Sequence, residues 1–433
     1  MSAAFAVLAA TQVTLIATIT VVTVALPAIQ RDLQLNGTSM VLVSTAYGIS
    51  FGGLLLLGGR LADVSRPRQA FVGGTAVFGI ASAVAGVAPG YAVLLGARLA
   101  QGVGAALTAP AAIALLGAVF PEPDRRRRVM ALWGVLSSAG ATAGTVLSGL
   151  VITWVSWRWV FVMPAVVAPI AIVGVLRLVP AGHSPSQPNE SARGAGEGVD
   201  WLGALLATAG LAALVYGVQR SGWIVGGAAV LLLVFALVER GSSHPLVLPS
   251  FLAKRMMPLV SVALCAGAVA TAFFLLSLYL QQVRGLSPAL TSATFLLPGP
   301  AILASGPLAG RLVPRLRLRR VLAIGLGTAA AGLLLLSLLS VPYAGLVVFP
   351  LGAGLTFSAA TIDVMQEVRD GEAGIGGGVL NTAMEVGPPL GLAALVTLAY
   401  GHSRVPAIGY AFALRIAAAV LAATALTALL TPD

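Results

Sequence analysis

The feature that most constrains this chain is a succession of apolar runs, each about as long as a bilayer is thick. A helix needs about 20 mostly apolar residues to cross the hydrocarbon core. Fourteen such runs follow one another, near 5–26, 40–62, 70–88, 91–118, 129–153, 159–178, 201–219, 223–239, 258–280, 289–312, 321–340, 343–365, 377–399 and 410–430. Hydrophobic residues make up 58% of the 433 residues and charged residues 9%, against roughly 25% charged in a soluble domain. A soluble fold of this size has too little polar surface to cover such a core. The expected fold is therefore all-α and integral to a membrane. The first run is too long for a cleaved signal peptide and no basic segment precedes it, so it reads as a retained span.

The net charge of +11 sits in short gaps between the runs, which excludes a nucleic-acid surface and fits positive loops on one side of a membrane. With the N-terminus cytoplasmic, eighteen basic residues fall on inside segments, including Arg125 to Arg128. Only Arg31, Arg158, Arg220, Arg284 and Arg404 fall outside. This bias puts a multi-pass chain in the cell membrane with both termini cytoplasmic. The single cysteine, Cys265, lies inside an apolar run and reads as a packed thiol. His183, His244 and His402 are isolated in loops. No metal-ligand spacing, nucleophile triad or phosphate-binding loop is present, so no metal, cofactor or enzymatic activity is expected.

One polar turn occurs twice. Gly59-Arg60-Leu61-Ala62-Asp63-Val64-Ser65-Arg66-Pro67-Arg68 is echoed by Gly310-Arg311-Leu312-Val313-Pro314-Arg315-Leu316-Arg317-Leu318-Arg319, with five identical positions. Aligning the copies pairs spans 2–3 with spans 10–11. The chain then divides into a six-helix bundle over 1–179, a Pro-, Gly- and Ser-rich cytoplasmic linker over 180–200 and an inserted helix pair over 201–239. A connecting segment over 240–257 and a second six-helix bundle over 258–433 follow. Internal repeats of this kind mark secondary transporters, whose substrate site lies near midplane at the repeat interface. The turn can also act as a gate. Asp63 beside Arg60, Arg66 and Arg68, with Gly59, and Gly310 and Arg311 in the second copy, can latch the cytoplasmic side in one state and release it in the other. Plain topology anchoring is the simpler reading.

Several stretches resemble the major facilitator superfamily, and in particular its fourteen-span drug:proton antiporter branch. Gly59 to Asp63 with Arg66 and Arg68 resembles the loop 2–3 motif, and Arg98-Leu99-Ala100-Gln101-Gly102 the R-x-x-Q-G motif. Trp157-Arg158-Trp159-Val160-Phe161, Tyr279-Leu280-Gln281-Gln282 and Asn381-Thr382-Ala383 look like further motifs of that branch. The resemblance runs from span 1 to span 14. It implies two six-helix bundles plus an inserted pair, and proton-driven export of amphipathic small molecules, often drugs or antibiotics. This chain departs from the pattern in span 1, where Thr18 and Thr23 stand in place of the usual aspartate and asparagine. In span 5, Gly140, Gly144 and Gly149 keep the glycine motif while Thr145 replaces its proline.

The charges inside the spans carry the candidate chemistry, because a buried charge costs at least ~2.5–3.5 kcal/mol by insertion scales. Glu385 precedes Pro388 and Pro389, which remove the donors to the carbonyls of Met384 and Glu385. A carboxyl beside freed carbonyls in a broken helix suits proton exchange; the alternative is a structural carboxyl paired with an arginine. Arg98 is the second coupling candidate, with bonding to Thr18, Gln101 or backbone carbonyls as its structural reading. Thr18, Thr23, Gln101 and Asn381 are candidate cavity residues, although a helical Thr can equally bond its own helix four residues back. Gly140, Gly144 and Gly149 read first as close helix packing. The partners expected are a small-molecule substrate, protons and the lipid bilayer around a monomer. Beside export stand a facilitator or importer of a metabolite without the usual proton coupling, and a non-transporting membrane protein that binds or senses lipid.

Overall fold

The computed structural model describes residues 3–64, 67–120, 122, 125, 129, 133, 144, 148–179, 201–220, 222–241, 249–339, 342–366 and 373–430, and every regular element among them is helical. The first helices are α1 (Ala3–Leu33), α2 (Gly37–Val64), α3 (Pro67–Gly86) and α4 (Tyr91–Val119). After a helical piece at residues 148–154 and a 3-10 turn at Trp157–Phe161 come α5 (Val162–Leu178), α6 (Trp201–Arg220) and α7 (Gly222–Gly241). The remainder is α8 (Pro249–Leu278), a π-helical turn at Tyr279–Val283, α9 (Pro288–Thr294), α10 (Pro298–Leu312), α11 (Leu318–Ser337), α12 (Tyr343–Gln366), α13 (Ala373–His402) and α14 (Pro406–Leu430).

Eleven helical stretches among the described residues are long and apolar enough to cross a membrane. They coincide with eleven of the fourteen apolar runs. Of the other three, the run at 129–153 lies mostly outside the described residues. The runs in α6 and α7 form helices whose apolar stretches, Leu202–Val218 and Gly222–Val238, are shorter. Large apolar side chains such as Ile80, Ile170 and Leu303 are more than 60% exposed. Lipid tails, not water, suit such a surface.

One expectation about a helix break needs correction. The α13 helix runs unbroken through Pro388 and Pro389, because each proline removes only one hydrogen bond and the surrounding packing holds the axis. The tenth run, where Pro298, Gly299 and Pro300 interrupt the apolar sequence, is two helices, α9 and α10, joined by a turn at residues 295–297. Phe295 and Leu297 there close short hydrogen bonds onto Ser292 and Thr294 carbonyls.

The chain forms two compact units, one of Met1–Ala212 with Ala229–Leu246 and the other of Ala213–Ala228 with Val247–Asp433. Within the first, α2 and α3 both pack on α4, and α3 and α1 pack on α5. Its core holds one cluster around Phe5, Leu8, Phe71, Leu115 and Phe120 and another around Leu15, Tyr47, Phe51 and Phe78. A Cβ at Gly104 would lie 2.6 Å from the Gly74 carbonyl oxygen, so α3 and α4 touch backbone to backbone. Within the second unit, α11 packs on α12 and α14, and α8 on α13. The α8–α13 crossing is equally tight, since a Cβ at Gly391 would lie 2.5 Å from the Gly267 Cα.

Two adjacent glycines in α2 make opposite demands. A Cβ at Gly58 would overlap the Ala106 carbonyl, whereas a Cβ at Gly59 would meet nothing within 4 Å. Gly58→Ala should therefore lose about 1–3 kcal/mol through overpacking, while Gly59→Ala should gain up to about 0.5–1 kcal/mol by relieving helix entropy. Thermal unfolding of the purified variants checks the opposite signs.

Candidate functional site

In the first unit, three helices, α1, α2 and α4, meet at Arg98, which is 0% exposed. It is the eighth residue of α4, a turn before Gln101. Its Nε donates to the Val43 carbonyl at 3.4 Å, and its Nη1 to the Thr18 carbonyl at 3.4 Å and to Gln101 Oε1 at 3.1 Å. The Tyr47 ring covers one face, its centroid 5.0 Å from Cζ. The network continues outward, because Gln101 Nε2 donates to Ser82 Oγ at 2.8 Å and Ser82 Oγ to the Phe78 carbonyl at 2.7 Å. Arg98 Nη2 is buried and has no acceptor among the described residues. Among the described residues no carboxylate pairs with this arginine.

The threonines of α1 turn inward on their own helix. Thr11, Thr14 and Thr18 each donate to the carbonyl four residues back, at 2.9, 2.8 and 2.7 Å. Thr18 therefore meets Arg98 through its backbone, not its hydroxyl. Thr23 is half-buried. Gly144 faces α1 so closely that a Cβ would lie 2.7 Å from Ala17 Cα, and Ser148 Oγ donates to the Val21 carbonyl at 2.8 Å. Gly149 is buried beside it. Gly140 lies outside the described residues.

In the second unit, Glu385 sits 12 residues into the 30-residue α13, about 18 Å along at 1.5 Å per residue. The helix begins earlier than the apolar run, so this carboxyl lies nearer the middle than the run implies. It is half-buried, and Asn381, one turn earlier, is exposed. Among the described residues nothing pairs with Glu385. The face of α13 opposite Glu385, through Gly387 and Leu390, lines an almost wholly apolar cavity of about 270 Å³ between α8, α13 and α14, with Leu264, Gly267, Val420 and Leu421. A carboxyl unpaired among the described residues within an apolar helix can hold a proton or a lipophilic cation.

Comparison with known proteins decides the family. Residues 8–392 match the model of the Major Facilitator Superfamily. The chain belongs to that superfamily. It is 37% identical to the puromycin resistance protein of Streptomyces alboniger, over 94% of this chain and 87% of that protein. It is 34% identical to a cephamycin export protein of Amycolatopsis lactamdurans, over 87% and 81%. A lincomycin resistance protein of Streptomyces lincolnensis is 32% identical over 91% and 83%. The crystal structure of a POT family transporter in complex with 5-aminolevulinic acid shares the fold, with a TM-score of 0.71 over 98% of this chain and 95% of that one at 15% identity. The superfamily is one of membrane transporters, and the chain is not an enzyme.

The superfamily turn is only partly described. Gly59 lies in the last turns of α2, Gly310 and Arg311 in those of α10, and a Cβ on either glycine would meet nothing within 4 Å. The side chains of Arg60 and Asp63, and all of Arg66, lie outside the described residues. The Arg68 guanidinium donates to the Leu176 carbonyl, tying the start of α3 to the end of α5.

Two charge pairs escape a sequence reading. Asp32, at the end of α1, accepts from Trp157 Nε1 at 2.9 Å and from Arg158. Arg158 also donates to the Ala88 carbonyl at 3.1 Å and stacks on the Trp157 ring at 4.4 Å. Two residues of the W-R-W motif thus brace α1 against the end of α3. In the second unit, Arg255 Nη1 donates to Asp363 Oδ1 at 2.6 Å, at the point where α8 kinks (Arg255 φ −114°, ψ 16°). The pair is mostly buried. Asp363→Asn should cost about 1.5–3 kcal/mol, as loss of a hydrogen bond to a charged group does. The exchange of both residues, Arg255→Asp with Asp363→Arg, should recover part of that in thermal unfolding.

Proposed function

We propose that this transporter exports hydrophobic or cationic small molecules of drug or antibiotic type in exchange for protons, by alternating access. The observation that carries the reading is Glu385, a carboxyl unpaired among the described residues near the middle of the apolar helix α13. The carbonyls of Met384 and Glu385, which the two prolines leave without helical donors, stabilise the protonated carboxyl by accepting its O–H. Loading and release of that proton gives the unit two charge states. An intramembrane charge of that kind is the usual mark of a proton or substrate pathway. The named activities of the relatives, resistance to puromycin and lincomycin and export of cephamycin, support the cargo class.

Arg98 is the second coupling element in this proposal, with Thr18, Thr23, Gln101 and Asn381 contributing polar groups along the substrate path. The proposal includes fourteen spans, the bundles 1–179 and 258–433 separated by the pair 201–239, both termini in the cytoplasm and a monomer in the cell membrane. The repeated turn gates the cytoplasmic side, with Asp63 as its latch. The alternative is a facilitator or importer without proton coupling. It is favoured by one observation: Thr18 occupies the usual aspartate position and spends its hydroxyl on the Thr14 carbonyl.

Proteoliposomes with an imposed pH gradient and a lipophilic cationic dye separate the two. Efflux driven by opposing proton flow supports exchange, and gradient-independent equilibration supports the alternative. Glu385→Gln should abolish gradient-driven efflux to the level of empty liposomes while leaving the unfolding temperature unchanged. Full retained efflux in that variant would remove Glu385 from the mechanism.

A further inference from the structure

Arg98 carries a permanent charge, and among the described residues nothing of opposite sign lies against it. What touches it among them is a dipole or a ring: two backbone carbonyls, the Gln101 amide oxygen and the Tyr47 face. The nearest described acid on the first helix, Asp32, is already engaged by Trp157 and Arg158. Dipoles at 3.4 Å soften the burial of an ion but do not neutralise it, and an uncompensated buried charge is strongly destabilising. Four contacts also fix the plane of the guanidinium. The Nε edge faces α2, Nη1 bridges α1 and Gln101, and Tyr47 closes one face. Only Nη2 is left, wholly buried and without an acceptor among the described residues.

We propose that Arg98 Nη2 is the binding point of a singly charged anion, either a halide or the carboxylate of a small organic acid. The geometry selects the class. With Nε and Nη1 both committed, the side-on fork that grips phosphate or sulfate through two parallel N–H donors is not available. One free nitrogen, whose two N–H groups diverge, suits a monovalent, monodentate ligand. The anion supplies from solution the negative charge that no described side chain provides, and it leaves when that charge is no longer needed. The site exists whether or not the chain exports drugs. Only its consequence, that export responds to the anion present, rests on the export reading.

The test uses the full chain in nanodiscs, with thermal unfolding followed at constant ionic strength as sodium isethionate is replaced by chloride or by benzoate. The expected result is a saturable rise in the unfolding temperature with either anion, since a ligand that binds only the folded state stabilises it. A response to chloride alone supports an inorganic anion, and a response to benzoate alone supports the carboxylate of a solute. Arg98→Gln should lose the response. If that variant does not fold, Gln101→Glu serves instead. It places a carboxylate oxygen where the amide oxygen already accepts from the guanidinium, and should raise the unfolding temperature in isethionate and abolish the response to both anions. An equal response in wild type and Gln101→Glu, or no saturable response to either anion, overturns the proposal. Dye efflux on the same preparations keeps the two readings apart. Efflux without an anion response defeats this inference alone, and an anion response without efflux defeats only the export reading.

Discussion

Lipid tails are as apolar as leucine, so helices in a bilayer gain little by hiding leucines from their surroundings, and packing contact must hold them together instead. In this chain that contact is made where side chains are absent. Gly74 and Gly104 let α3 and α4 meet at backbone distance, and Gly267, Gly387 and Gly391 do the same for α8 and α13. Close approach brings carbonyls of one helix within reach of hydroxyls on the next, as when Ser50 Oγ donates to the Leu99 carbonyl at 2.8 Å. The few polar side chains inside the units are anchored on this frame. Arg98 can rest on the Val43 and Thr18 carbonyls only because α1, α2 and α4 lie so near one another.

The two units handle charge differently. In the first, among the described residues, a buried cation is surrounded by neutral acceptors and keeps one nitrogen unused. In the second, Arg255 and Asp363 neutralise each other at a helix kink, and Glu385 alone among the acids of α13's described part stands within the apolar length. A paired charge fixes a shape, whereas an unpaired one asks for a partner that comes and goes. That division separates the residues that hold this protein together from those suited to transport.

Most of the architecture was legible in the sequence because its causes are local. A run of about 20 apolar residues has one stable solution in lipid, and eleven of the runs are helical stretches long and apolar enough to span. The repeated turn and the R-x-x-Q-G stretch pointed to the superfamily directly. Helix ends and breaks were less legible. Pro388 and Pro389 look like a break in one dimension, yet the axis survives because neighbouring helices hold it. Partners distant in sequence were invisible for the same reason. Asp32 and Arg158 are 126 residues apart, and the only hint was that Asp32 is the one acid in the segments assigned outside. The Thr11, Thr14 and Thr18 hydroxyls show the converse, since their α-helical spacing alone accounts for where they point.

The length of α13 has a consequence of its own. Its 30 residues extend about 45 Å at 1.5 Å per residue, against a hydrocarbon core of about 30 Å. A helix half as long again as the slab it crosses must lean or project beyond it. Both responses depend on the thickness of the membrane. The apolar stretch of α13, Val379–His402, is 24 residues, about 36 Å, so the helix spans with some tilt, and the depth of Glu385 follows from that tilt.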